Sequence, residues 1–275
     1  MSRISSAFEA QTSHLIPFIT VGDPDLPTTV EIVVELARQG AAIIELGLPY
    51  SDPIADGPII QLSSQRALNK GVRLGDIFGV VRTIRQRCDV PLVLFTYCNP
   101  IYRYGLERFL REAADAGADG ILMPDIPPEE AGDLREIASR YGLDVIFLVA
   151  PTSTPERVDL ICQASTGFVY LVAATGVTGT RTQLASNLAE KLDLVKASAK
   201  RSGKHLPVAV GFGVSSPEQV SSIRAMGADG VVVGSALVER IGRWAQDPGI
   251  DATGLLERVG SFAAELQTGL SLSEA

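Results

Sequence analysis

The sequence predicts a single (β/α)8 barrel of the TIM type, spanning 1–275, with an extra N-terminal helix. Three observations predict it. Eight short apolar runs recur along the chain, and most are followed by a longer stretch whose apolar positions have helical spacing. The segments Ala-Gly-Ala-Asp-Gly (116–120) and Met-Gly-Ala-Asp-Gly (226–230) repeat one way of stopping a helix at Gly and entering a strand. No linker or change of composition divides the chain. Alternating strands and helices require a parallel sheet covered on both faces. Eight such units in one domain of this length favour a closed barrel over an open doubly wound sheet.

The strands are expected at 15–20, 42–46, 92–97, 120–123, 145–149, 168–173, 207–211 and 230–234. Helical patterns lie between them, for example at 27–39, 107–116, 129–141 and 217–226. The third of these has acidic residues in its first turn and Arg140 in its last, as a helix dipole prefers. Gly40, Gly117, Gly142 and Gly227 close helices. Residues 4–11 read as a helix plugging the barrel floor, and 183–203 as one long helix after the sixth strand.

Composition narrows the function classes. With 46% hydrophobic and 20% charged residues, the chain can bury a large core and is not disordered. A net charge of -8 without a dense Lys/Arg run argues against nucleic acid and anionic membrane as partners. A small anionic substrate stays open, because backbone amides can bind phosphate on an acidic protein. Cys88, Cys98 and Cys162 are scattered without C-x-x-C spacing, against a disulfide framework or zinc site, and no metal is expected. Residues 1–13 carry no apolar signal region, and no apolar run approaches the ~18 residues of a membrane span. The expected setting is cytoplasmic, or a plastid stroma if a transit peptide has been removed.

Active residues of such barrels lie at the C-terminal ends of strands and in the loops that follow. Glu45 is the first anomaly there. It shares strand parity with Ile43, while Ala42, Ile44 and Leu46 form the wholly apolar opposite face. Glu45 is therefore expected to point into the barrel mouth. A buried carboxyl without partners has a raised pKa and can move a proton near neutrality. Asp56 follows in a loop rich in Pro and Gly, and Asp23, Asp52 and Asp125 hold similar loop positions. The third feature is glycine: Gly-Val-Thr-Gly (176–179), Gly-Phe-Gly (211–213) and Gly-Ser (234–235) follow strands six, seven and eight. Barrels bind phosphate in this quadrant. Ser235 would open a short helix at 236–241 and could donate its hydroxyl. Phe18, Phe95, Leu122, Leu148, Tyr170 and Phe212 lie near strand ends, where a planar aromatic substrate would suit them.

Each feature keeps a structural alternative. Glu45 could be neutralised by a buried partner, and a loop aspartate could only cap local backbone. The glycines could only make turns, and the aromatic residues could be ordinary core. Other chemistries find less support. His14 and His205 precede strands, at the stability face. No Lys ends a strand, which disfavours a Schiff base. No nucleotide-binding glycine motif occurs.

The segment Glu-Leu-Gly-Leu-Pro-Tyr-Ser-Asp-Pro-Ile-Ala-Asp-Gly-Pro-Ile-Ile-Gln (45–61) is similar to the signature of the tryptophan synthase α chain family. The likeness extends through Pro-Phe-Ile-Thr-Val-Gly-Asp-Pro (17–24), the Gly-Val-Thr-Gly loop, Gly-Phe-Gly-Val-Ser (211–215) and Val-Val-Gly-Ser-Ala (232–236). The resemblance implies retro-aldol cleavage of indole-3-glycerol phosphate to indole and glyceraldehyde 3-phosphate. In it Glu45 is the acid/base residue, and Asp56 accepts a hydrogen bond from indole N1–H. Phe18, Ile60, Phe95, Leu122, Leu148 and Tyr170 match the indole pocket. Gly179, Gly213, Gly234 and Ser235 match phosphate contacts, and Thr178 a mobile-loop residue that approaches the catalytic Asp. Ala173-Ala174-Thr175 departs from relatives with polar or basic residues there.

The family works as an α2β2 complex that passes indole to a PLP-dependent β chain. PLP belongs to that partner, and no cofactor is expected in this chain. The partner-facing surface would include the loops near Asp52–Pro53 and Asn99–Pro100. Three rivals remain: a stand-alone indole-releasing lyase, a sugar-phosphate isomerase barrel, and a catalytically silent barrel that regulates a β partner.

Overall fold

Strand and helix alternate through eight repeats. The computed structural model describes residues 2–10, 14–173, 181–211 and 213–271, with backbone alone at residue 10 and at 181–186. The strands are β1 (His14–Thr20), β2 (Ile44–Gly47), β3 (Leu92–Phe95), β4 (Gly120–Leu122), β5 (Asp144–Val149), β6 (Val169–Val172), β7 (Val208–Gly211) and β8 (Gly230–Val233). All neighbours pair in parallel, and β8 returns to β1, so the sheet closes as a barrel in sequence order. The helices are α1 (Arg3–Ala10), α2 (Leu26–Arg38), α3 (Pro58–Asn69), α4 (Asp76–Arg85), α5 (Cys98–Tyr104), α6 (Leu106–Ala116), α7 (Gly132–Arg140), α8 (Pro155–Ala164), α9 (Arg181–Arg201), α10 (Pro217–Ala225), α11 (Ser235–Ala245) and α12 (Ala252–Ser271). None of the described helices is long and apolar enough to cross a membrane.

Strand parity sorts the core into two layers. Ile44 and Leu46 belong to the outer layer, between sheet and helices. Ile16, Ile43, Val93, Ile146, Phe168, Ala209 and Val232 fill the barrel interior. Ile4 and Phe8 of α1 join that interior cluster, so the N-terminal helix plugs the barrel as its sequence suggests. Phe8 lies edge-on to His14 with ring centroids 5.1 Å apart, and 5.7 Å from Phe168. Removing this ring leaves a cavity that the barrel floor cannot close. Phe8→Ala is expected to lower unfolding free energy by about 3–5 kcal/mol, measured by urea denaturation.

The repeated Ala-Asp-Gly turns have a shared purpose. Gly117 and Gly227 adopt φ 101° and 91°, the left-handed conformation that ends a helix. The aspartate two residues on then ties its strand to the previous one. Asp119 accepts the Leu92 N–H at 2.8 Å, and Asp229 accepts the Val208 N–H at 2.8 Å. Asp119 also holds Arg85 at 2.7 Å and Arg3 of the plug helix at 2.8 Å.

Several boundaries differ from expectation. The run 92–97 is strand only to Phe95, because Tyr97 is already the N-cap of α5. The strand expected at 42–46 is Ile44–Gly47, and Ala42 makes only a single N–H bond to the Leu15 carbonyl, at 3.1 Å. Helix α7 starts at Gly132 rather than 129. Glu129 and Glu130 sit in turns closed on Pro127 and Pro128, so Asp133 alone supplies the acid of the first turn. The helix expected at 236–241 runs from Ser235 to Ala245.

Candidate active site

Glu45 lies in β2 between Phe18 of β1 and Val93 of β3. Its side chain is 1% exposed, and its Oε1 has no hydrogen-bond partner among the described residues. A carboxylate stripped of water and unpaired is strongly disfavoured. Burial accordingly pushes the Glu45 carboxyl up to about 8. Tyr170 of β6 feels the same carboxyl, which together with burial raises its phenol well above the ordinary range. The expectation of an inward-facing carboxyl with a raised pKa holds. The alternative, a Glu neutralised by a buried partner, finds no hydrogen-bond partner for Oε1 among the described residues.

Asp56 lies in the loop between β2 and α3, just before the Gly57 cap and Pro58. Burial pushes its carboxyl up to about 6, opposed by a hydrogen bond from Tyr97. The other loop aspartates are spent on structure. Asp125 accepts the Cys98 N–H through both oxygens at 3.0 Å, at the start of α5. Asp52 accepts the Ser51 hydroxyl at 2.5 Å. Asp23 is more than a turn residue: it is buried and grips Arg66 of α3 with two bonds of 2.9 and 2.6 Å. Asp56 is thus set apart from its neighbours by environment.

The apolar residues divide. Phe18, Ile60 and Val238 cluster, with Ile59 and Phe95 against them, and the Phe18 and Phe95 rings meet edge-on at 5.4 Å. Leu122 and Tyr170 belong to the interior cluster, with Phe95 and Leu148 half-buried at its upper edge. Two glycines make room for these rings. A Cβ at Gly47 would fall 2.3 Å from the Phe18 ring, and one at Gly211 would fall 2.3 Å from the Tyr170 hydroxyl. Sequence reading placed both glycines at strand ends but gave neither this role.

Gly234 caps α11, whose N-terminus opens at the end of β8 beside Phe18. The Leu237 and Val238 N–H groups bond back to Gly234. The first helical N–H groups, at Ser235 and Ala236, have no intrahelical acceptor, and with the helix dipole they suit an anion. Gly213 adopts φ 76° after β7. Thr178, Gly179 and Phe212 lie outside the described residues. No group of three or more His, Cys, Asp or Glu able to hold a metal occurs among the described residues.

Sequence reasoning missed Tyr97, Val238 and Arg66. Tyr97 shares parity with Phe95, so a hydroxyl just past β3 was a usable signal. Val238 falls three residues after Ser235 on one helix face, which was legible once α11 was given its full length. The Asp23–Arg66 pair joins residues 43 apart, and no local pattern announces it.

Comparisons with known proteins agree with this geometry. Residues 4–267 match the family model described as tryptophan synthase alpha chain. The chain is 46% identical to the tryptophan synthase alpha chain of Synechococcus elongatus, over 98% of this chain and 100% of that one. It is similar in structure to the alpha subunit of tryptophan synthase from Legionella pneumophila, with TM-score 0.87, 33% identity, and 98% and 99% of the two chains covered. A chain of the tryptophan synthase α2β2 complex from Pyrococcus furiosus gives TM-score 0.82 at 41% identity, covering 93% of this chain and 98% of that one. A (β/α)8 barrel with a buried acid in its interior, matched along nearly its whole length at this identity, belongs to the tryptophan synthase alpha chain family.

Proposed function

We propose that this chain cleaves indole-3-glycerol phosphate to indole and glyceraldehyde 3-phosphate, with Glu45 as the acid/base and Asp56 as the charge stabiliser. As a tryptophan synthase alpha chain it is a lyase of tryptophan biosynthesis. The observation that carries the proposal is the divergence of two carboxyls, buried Glu45 at about 8 and half-buried Asp56 at about 6. Near neutral pH one is an acid and the other an anion, which is how paired carboxyls divide acid and electrostatic roles.

In the first step the Glu45 carboxyl protonates indole C3. The ring becomes an iminium cation, and Asp56, accepting the N1–H, stabilises that charge. Glu45, now a carboxylate, takes the proton of the hydroxyl on the adjacent side-chain carbon. The carbon–carbon bond breaks, its electrons restore the indole ring, and the aldehyde leaves. Glu45 ends protonated, ready for the next turnover. The indole would lie among Phe18, Ile60, Phe95, Leu122, Leu148, Tyr170 and Phe212. The phosphate would be held by Gly213, Gly234 and Ser235 at the start of α11, with Gly179 contributing and Thr178 closing toward Asp56. Product indole would pass to a β chain carrying PLP, in the manner of the α2β2 assembly.

The test is indole release from indole-3-glycerol phosphate by the purified chain, alone and with a β chain. Release in either condition, with a large gain on adding the β chain, is the expected result. No release in both overturns the reading, and full turnover without any gain points to a stand-alone lyase. A smaller effect probes the pocket. In Gly47→Ala the new methyl must displace the Phe18 ring, and kcat/KM for indole release is expected to fall about tenfold. Steady-state kinetics on the folded variant check this.

A further inference from the structure

Asp56 needs support, because it sits in a loop with few ties to the barrel. Within that loop the Ile54 N–H bonds to Asp52 O at 2.9 Å and the Asp56 N–H to Pro53 O at 3.1 Å. Gln61 of α3 donates to the Asp56 carbonyl at 2.8 Å. These are local bonds that shape the loop without placing it. The tie to the barrel comes from a residue 42 positions away: the Ala55 N–H donates to the Tyr97 hydroxyl at 3.0 Å.

We propose that Tyr97 is a positioning residue for the reaction, its hydroxyl fixing both the place of the Asp56 loop and the orientation of the Asp56 carboxylate. The proposal rests on the role assigned to Asp56 above. Tyr97 is fully enclosed at the end of β3, 3% exposed. Its ring lies against Tyr50, with centroids 5.3 Å apart, and the Tyr50 hydroxyl accepts from Asn99 Nδ2 at 3.0 Å. Tyr97 is therefore held at its ring by Tyr50 and at its hydroxyl by the Ala55 N–H. A phenol has one proton to give and lone pairs to fill. The Ala55 N–H occupies the acceptor side, which leaves the proton to go to a nearby acceptor. The Asp56 carboxylate faces this hydroxyl, and the phenol draws the Asp56 carboxyl down against the rise caused by burial. Asp125 also faces this hydroxyl electrostatically, but its two oxygens are committed to the Cys98 N–H. A carboxylate has lone pairs to spare beyond that contact, which leaves Asp56 able to accept an indole N–H.

The experiment is the pH profile of indole release by the full chain with a β chain, for wild type, Tyr97→Phe and Asp56→Asn. The phenylalanine keeps the ring and its stacking on Tyr50, so the fold is retained, and circular dichroism confirms it. Without the phenol the Asp56 carboxylate loses a donor and binds its proton more tightly. The acid limb of the profile is expected to move up by about one pH unit, with a rate loss of about tenfold below it. KM should change less than kcat. A residue with a purely structural role would lower activity uniformly and leave the limb in place. A Tyr97→Phe profile that superimposes on wild type, or falls with its limb unmoved, overturns the proposal while leaving the reading of Asp56 intact. A wild-type limb that persists in Asp56→Asn overturns that reading instead.

Discussion

Replacing Glu45 by Gln is expected to lower kcat for indole release by roughly 10²–10⁴-fold, the share that a positioned acid or base contributes. The substitution is nearly isosteric and keeps the side chain in its interior slot between Phe18 and Val93. An amide can neither give C3 its proton nor take the hydroxyl proton, so the loss falls on kcat while KM moves little. The same change has an opposite effect on stability. In the folded chain the Glu45 carboxyl is raised from 4.5 to about 8. Below pH 4.5 both folded and unfolded chains hold the proton, and the acid carries no penalty. Between these values the unfolded chain ionises and the folded chain does not, so stability falls as pH rises, by about 1.4 kcal/mol per unit. Glutamine has no such dependence. Glu45→Gln should therefore be increasingly more stable than wild type as pH rises toward 8, a stability gain that accompanies loss of function. Denaturant titrations at several pH values read this difference.

Asp56→Asn is expected to lower kcat by roughly 10²–10³-fold, the effect of losing one preorganised electrostatic stabiliser. The amide can still accept a hydrogen bond from N1–H, but it is neutral when the ring turns cationic. Asp56 titrates at about 6 in the folded chain and Glu45 at about 8. The proposed mechanism needs Asp56 ionised and Glu45 protonated, so the rate should fall below the first value and above the second. The variant should lose the acid limb and keep the alkaline one. Steady-state rates across pH, with wild type as reference, measure both.

The fold was legible because its signals are local. Parity along a four-residue strand was enough to turn Glu45 inward and Ile44 and Leu46 outward. The Gly-Ala-Asp-Gly turns announced two strand entrances before any contact was known. What the sequence could not display were unions between distant residues. The Tyr97 hydroxyl reaches Ala55, Arg66 reaches Asp23, and Asp119 gathers Arg3 and Arg85. Asp56 lay between these cases. As one loop aspartate of four it had no privilege in spacing, and only the extended motif at 45–61 marked it. The structure separates it physically, since Asp23 and Asp125 are committed to partners and Asp56 is half-buried facing the Tyr97 phenol. The glycines at 47 and 211 were visible as residues, but the rings they admit became visible only with the strands in register.

Proton delivery by Glu45 requires its carboxyl to stay protonated near neutral pH inside the folded barrel. Infrared difference spectra between wild type and Glu45→Gln, followed across pH, observe that proton directly through the carbonyl stretch of the neutral acid. The band is predicted to persist through neutrality and to fade with a midpoint near 8. A band already lost at the ordinary carboxylate value of about 4.3 would contradict the account, because Glu45 would then have no proton to deliver to indole C3.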